Sequence, residues 1–346
     1  MIKVIFAAPN INGIMNLQQR IKLLVELGDY ILSEDPLWQS AKEKAAAENG
    51  WFSSDFIEKA VVNIVNQFLQ KDKLEAWASH YGLPDQIHHP KNIGIVMAGN
   101  IPLVGFHDFL SVFITGHRQT IKPSSKDKTL IRHLVQQLNS CGSLPADQIT
   151  FSDMLKGCDG YIATGSNNSA GYFEYYFGRY PHLIRRNRTS VAILSGDETG
   201  KELEKLADDV YLYFGLGCRN VTKVLVPEGY DFQTMLESFR KYDFLADHNK
   251  YMNNYDYQLA VLVLNKKYYM SNRSILLTED RSAFSPISVL HYEYYKSQDT
   301  ALQGLTEGKD IQCIVGKQHT PFGQAQYPSL NDYADGVDTV RFLKEL

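Results

Sequence analysis

Cysteine is scarce in this chain, and the four present, Cys141, Cys158, Cys218 and Cys313, show no C-x-x-C spacing. A disulfide framework and a zinc site are therefore not indicated, no metal is expected, and the thiols should be reduced. No apolar run approaches the ~20 residues of a membrane span, and no basic block offsets the formal net charge of −4. Neither a spanning helix nor a nucleic-acid footprint follows from such a sequence. Also missing are G-x-G-x-x-G, G-x-x-x-x-G-K-[ST] and G-x-S-x-G, which removes support for the usual dinucleotide, P-loop and serine-hydrolase readings. There is no internal repeat and no long Gly/Ser/Pro linker. What is present is ordinary soluble composition: 346 residues, 44% hydrophobic and 21% charged, enough to bury a large core and to split into two domains or a domain with a subsidiary lobe. The opening Met1-Ile-Lys-Val-Ile-Phe6 looks more like a strand than a secretion signal, so a cytoplasmic protein is expected.

Along the chain, apolar spacing predicts helices over 15–33, 36–48, 55–71 and 74–81, with Asp55 and Glu58 as a capping box. From Ile93 the pattern alternates. Strands are expected at 93–98, 119–122, 148–151 and 160–163, and helices at 102–115, 127–140 and 169–177. That order is the signature of a doubly wound parallel sheet. A second alternating section starts at Ser190: a helix to Phe214, a strand over 221–226, helices over 232–246 and 255–270, and strands at 274–277, 287–292 and 311–315. The expected division is 1–194 for a helical N-terminal region and nucleotide-binding domain, 195–319 for a catalytic domain, and 320–346 for a return segment.

Cys218 stands between that helix and the 221–226 strand, in Phe214-Gly-Leu-Gly-Cys-Arg-Asn220. Two glycines punctuate the join, and Arg219 beside the thiol favours the thiolate, which together point to a nucleophile rather than a small buried hydrophobe. Gly99-Asn-Ile-Pro-Leu103 lies at a strand end with Pro102 near the first helical position. Asn100 there is either the cap of that helix or an amide aimed at a developing oxyanion. Lys122-Pro-Ser124-Ser125 ends a strand and can grip a ribose or phosphate, or be merely solvated. Thr164-Gly165-Ser166 opens a helix and suits either a phosphate or a plain capping turn.

In this order, these segments resemble the aldehyde dehydrogenase superfamily, most closely its acyl-CoA reductase branch, the LuxC-like fatty acyl-CoA reductases. The likeness runs from about Ile93 to the end. It implies an α/β fold with a doubly wound cofactor domain and an α/β catalytic domain. It also implies Cys218 as nucleophile, Asn100 as oxyanion amide, and Lys122, Ser124, Ser125, Thr164, Gly165 and Ser166 as cofactor contacts. Glu279-Asp-Arg-Ser-Ala-Phe-Ser-Pro286 is similar to a segment that touches the nicotinamide ribose, which gives Glu279 that role with Asp280 and Ser282 as alternatives. Thr320-Pro-Phe-Gly323 is similar to the family's closing turn.

Two departures shape the expected chemistry. Where the aldehyde-oxidising members carry a glutamate base, this chain reads Leu183-Ile-Arg-Arg-Asn-Arg-Thr189. Without a base to activate water, an acyl-cysteine should persist long enough to be reduced. Ser125 replaces a carboxylate that would hold a ribose 2′-hydroxyl, and Lys126 adds positive charge, which favours NADPH over NADH. The expected function is NAD(P)H-dependent reduction of an acyl-CoA or acyl-carrier thioester to the aldehyde, by a homo-oligomer working beside an acyl-activating partner protein. Acyl transfer or thioester hydrolysis at Cys218, NAD-dependent aldehyde oxidation, and a non-catalytic scaffold are the alternatives.

Overall fold

A computed structural model describes residues 15–141, 144–306 and 310–346. The strand expected at the N-terminus lies outside them. The chain forms two compact units, one ending at Arg186 and resuming at Ser329, the other covering 187–328. The change falls before the first strand of the second unit, whereas the sequence places it after that strand, near Leu194.

The first unit begins with four helices. α1 (Leu17–Ile31) starts with a capping box in which Asn16 accepts the Gln19 N–H at 2.8 Å and the Gln19 side chain accepts the Asn16 N–H at 2.9 Å. Asp35 caps α2 (Pro36–Glu48), with Pro36 in the first turn, where its missing N–H costs least. Ser53 caps α3 (Ser54–Phe68) by accepting the Phe56 N–H at 3.2 Å; the expected Asp55–Glu58 box is not used, because Asp55 already lies inside the first turn. α4 is Lys71–His80. Leu24, Leu27, Trp38, Ile57, Val61 and Leu74 from these helices join one buried core.

The same core takes in the sheet that follows: β1 (Asn92–Val96), α5 (Phe106–Thr115), β2 (Arg118–Lys122), α6 (Thr129–Ser140), β3 (Ile149–Phe151), β4 (Gly160–Thr164), α7 (Asn167–Phe177) and β5 (His182–Arg185). All its pairings are parallel and the order is β3-β2-β1-β4-β5, so the winding reverses between β1 and β4. In such sheets ligands bind outside the carboxyl ends at the reversal. β5 has no counterpart among the strands the sequence predicts; it is short and of mixed polarity, and its pairing with β4 supplies what local propensity lacks.

The second unit contains β6 (Thr189–Ile193), α8 (Gly200–Tyr211), β7 (Val221–Pro227), α9 (Gln233–Ser238), α10 (Asn249–Leu264), β8 (Met270–Ser271), β9 (Leu276–Glu279), β10 (Val289–Tyr295), α11 (Gln298–Thr306) and β11 (Ile311–Val315). The sheet order is β11-β6-β7-β10-β9-β8, with β8 antiparallel and the other pairings parallel. The helix expected over 232–246 breaks into α9 and a 3₁₀ stretch over 239–247, kinked at Tyr242. α10 starts earlier than expected because the His248 side chain accepts the Tyr251 N–H and caps it there. After Ser329 the chain rejoins the first unit, where α12 (Thr339–Lys344) buries Val340 and Leu343 beside α5.

Candidate active site

In the first unit, the candidate residues sit at the carboxyl ends of β1, β2 and β4. Gly99, after β1, has to be glycine, since a Cβ would lie 2.5 Å from Ser124 Oγ and 2.6 Å from its Cβ. The chain then turns through Leu103, at φ 54°, and α5 begins only at Phe106, with Gly105 at its cap. The expected helix start at Pro102 is therefore corrected, and so is the capping alternative for Asn100. The cause is Asp127, whose Oδ2 accepts the Leu103 N–H at 2.6 Å and holds the segment out of the helix. Burial pushes the Asp127 carboxyl up to about 7, although that hydrogen bond acts in the opposite sense.

After β2, Lys122 and Ser125 are exposed, while the Ser124 hydroxyl is taken up in the turn, accepting the Lys126 N–H at 3.2 Å. After β4, Ser166 caps α7 by accepting the Ser169 N–H at 3.3 Å, so the plain capping turn is formed. Beside it, Thr164 Oγ1 is buried without a hydrogen-bond partner. A Cβ on Gly165 would lie 2.8 Å from Ser169 Cβ and 2.9 Å from Phe173 Cε2. An orphaned hydroxyl, a close backbone approach and a helix N-terminus at a sheet reversal fit the phosphates and ribose of a nicotinamide dinucleotide.

In the second unit, Cys218 lies in a loop under strong local constraint. α8 ends at Tyr211 rather than Phe214, and Tyr213 (φ 55°), Phe214 (φ 58°) and Gly215 (φ 73°) are left-handed in succession. For the two non-glycine residues this costs roughly 1–2 kcal/mol each. Burial of both offsets it, and the Phe214 ring sits 4.3 Å from that of His248. Asn220, fully buried, closes the loop. Its Oδ1 accepts the Gly217 N–H at 2.8 Å, and its Nδ2 donates to the carbonyls of Leu212 at 2.8 Å, Asp209 at 3.1 Å and Val210 at 3.3 Å. One side chain thus satisfies the carbonyls left open at the end of α8 and fixes the backbone before the thiol. Sequence reasoning missed it; the available signal was a turn-forming asparagine two residues past the cysteine in a glycine-punctuated join. Cys218 is half-buried, and its carbonyl accepts from the buried Ser190 hydroxyl at 3.1 Å. Ser190 Oγ also accepts the Cys313 N–H at 3.2 Å. Burial raises the thiol pKa of Cys158, and desolvation together with Glu26 raises that of Cys141.

Asp209, on the same helix, accepts the N–H groups of Gly323 at 2.6 Å and Ala325 at 2.9 Å, so the Thr320-Pro-Phe-Gly323 turn is tied to α8. Burial pushes its carboxyl up to about 7. Glu279 is not brought to Cys218. It ends β9, level with Tyr292 and hence Val224, whereas Cys218 precedes the first residue of β7. The parallel crossover to β10 has to return the chain to the opposite end of the sheet, and it places the Ala283 carbonyl 2.6 Å from Thr222 Oγ1, near the start of β7. Ser282 is in this returning segment, its carbonyl 3.0 Å from His291 Nδ1.

No carboxylate occurs in 183–189. Arg185 is buried there, paired with Asp108 and donating to Thr339 Oγ1 at 2.7 Å. Of the acids nearest in sequence, Glu174 pairs with Arg186 at 3.6 Å, Asp197 accepts from Lys317 at 2.8 Å, and Glu198 accepts the Ser195 N–H at 2.6 Å.

This architecture is the two-domain aldehyde dehydrogenase-like fold. Among solved structures, aldehyde dehydrogenase 21 from Physcomitrella patens, in complex with the reaction product succinate, is similar at a TM-score of 0.67 and 12% identity, covering 96% of this chain and 84% of that one. Succinic semialdehyde dehydrogenase from Streptococcus pyogenes, in complex with NADP+, is similar at 0.63 and 13% identity (86% and 76% covered). A Mycobacterium tuberculosis aldehyde dehydrogenase complexed with NAD+ is similar at 0.63 and 13% identity (84% and 70%). No protein-family model and no curated sequence matches the chain.

Proposed function

We propose that the protein is an NAD(P)H-dependent reductase of acyl thioesters acting through Cys218. The observation that carries this reading is the loop around Cys218, where backbone strain and the Asn220 hydrogen bonds fix a half-buried thiol, on a fold shared with aldehyde dehydrogenases. The thiolate attacks the thioester carbonyl and the CoA or carrier thiolate leaves, which gives acyl-Cys218. The Asn100 amide and the Cys218 backbone N–H are the proposed oxyanion donors. When bound at Lys122, Thr164 and Ser166, NADPH, or NADH in its place, supplies a hydride to the acyl carbon. Collapse of the resulting hemithioacetal releases aldehyde and regenerates the thiolate. Residues 183–189 carry no carboxylate, and Glu174, Asp197 and Glu198, the acids nearest in sequence, are each engaged in ion pairs or backbone hydrogen bonds, which supports reduction over hydrolysis. We further propose a cytoplasmic homo-oligomer supplied by an acyl-activating partner. A panel of acyl-CoA thioesters with NADPH or NADH tests the reading: thioester-dependent loss of the reduced-nicotinamide absorbance with aldehyde formed is expected, and release of free acid without nicotinamide oxidation would make thioester hydrolysis the function.

A further inference from the structure

Asp127 is nearly fully buried, and its Oδ1 has no hydrogen-bond partner, yet it touches both loops that the proposed chemistry needs in the first unit. Its Oδ2 accepts the Leu103 N–H at 2.6 Å, at the left-handed residue that ends the turn carrying Asn100. Its own N–H donates to the Ser124 carbonyl at 3.1 Å, in the turn that carries Lys122 and Ser125. The two turns are in close apposition, since a Cβ on Gly99 would meet Ser124 Oγ at 2.5 Å and Asp127 Cβ at 3.3 Å. The far side of the Asp127 turn is anchored as well: Asn49, after α2, donates to the Lys126 carbonyl at 3.2 Å, and Thr129 donates to Glu48 at 2.6 Å. A buried carboxylate with a free oxygen is a costly way to cap one N–H, and a shorter neutral side chain would avoid burying charge.

We propose that Asp127 is a positioning residue that locks the Asn100 turn to the Lys122–Ser125 turn, its carboxylate holding the Leu103 N–H and its backbone N–H closing the Ser124 turn, so that the oxyanion amide and the cofactor-gripping residues are tied together by one residue. This rests on the roles given to Asn100 and Lys122 above. Asp127 touches neither substrate nor cofactor; its side chain acts through the Leu103 N–H, from a turn that its own N–H closes on the Ser124 carbonyl. Loss of the acceptor frees the Asn100 turn from the left-handed conformation at Leu103. Misplacement of a donor by about 1 Å costs up to about 10²-fold in rate.

The test compares Asp127→Ala and Asp127→Asn with the wild type by deuterium exchange of peptides 97–106 and 121–129, single-turnover acylation by an acyl-CoA, and NADPH affinity. The alanine variant is expected to exchange faster in both peptides and not elsewhere, to acylate roughly 10–100-fold more slowly, and to bind NADPH several-fold more weakly. Asparagine keeps an acceptor for Leu103 and is expected to restore all three readouts to within about threefold of the wild type. Faster exchange confined to 121–129, or spread uniformly with asparagine no better than alanine, overturns the proposal, as does wild-type acylation in the alanine variant. If the wild type itself neither acylates nor binds NADPH, the functional reading fails, and exchange still decides the lock: both peptides responding supports it, one alone overturns it. Should Asp127→Ala not fold, Asp127→Ser, whose hydroxyl is one bond shorter, takes its place.

Discussion

The proposed cofactor side and the proposed nucleophile side are built by opposite means. At the carboxyl ends of β2 and β4, the candidate residues are exposed or half-buried, ordinary serine turns and one helix cap hold the backbone, and a hydroxyl at Thr164 is left unused. Around Cys218, two bulky residues adopt left-handed backbone and a fully buried asparagine makes four hydrogen bonds. A binding surface can leave polar groups open, because the ligand completes them. A nucleophile has to be aimed before the substrate arrives, so its loop is fixed by burial and by a dedicated side chain.

The largest expected effect breaks that second construction. Asn220→Ala leaves the Gly217 N–H and the carbonyls of Asp209, Val210 and Leu212 without this partner, and should lower stability by about 2–4 kcal/mol, read by chemical denaturation. Asn220→Asp retains an acceptor for Gly217 but has no donor for the carbonyls, and should recover only part of the loss. If either variant keeps wild-type stability, the loop is not held as described.

The effect next in size is a pH dependence to which both sides contribute. Asp127 and Asp209 belong to the two sides, and burial raises both carboxyls to about 7 in the folded protein. Each folded value lies above the unfolded one, about 3.9, so the folded state holds the proton more tightly. Stability from these groups is fully present below about pH 4 and falls as pH rises through about 7. The melting temperature of Asp209→Asn should therefore vary less than that of the wild type between these limits. An unchanged slope would mean that this carboxyl titrates normally.

The smallest effect concerns Thr164→Val. Removal of an unpartnered buried hydroxyl should leave stability within about 0.5 kcal/mol while weakening NADPH binding about fivefold, measured by nicotinamide fluorescence. A destabilised variant with unchanged affinity would assign that hydroxyl to the fold.

Much of the framework is legible in the sequence because strong periodicity sits where tertiary packing agrees with it, as in β1, β2, α6 and β7. The differences have causes outside the local sequence. The helix expected from Pro102 starts at Phe106 because Asp127, distant in sequence, captures the Leu103 N–H. The resemblance gives Glu279 a cofactor role from its segment alone, and the strand register that sets it level with Val224 of β7 is not encoded in that segment. Asn220 went unnoticed because its partners, Asp209 to Leu212, belong to a helix end whose position the sequence placed at Phe214. Cys218 could be singled out because glycines and an arginine mark it locally.

Cys218 is expected to take an acyl group that water does not readily remove. Intact-protein mass spectrometry after mixing with acyl-CoA in the absence of NAD(P)H decides this. One acyl group should accumulate, map to Cys218 rather than Cys141, Cys158 or Cys313, and leave as aldehyde when NADPH is added. No adduct, an adduct on another cysteine, or rapid discharge as free acid before NADPH is added would contradict it.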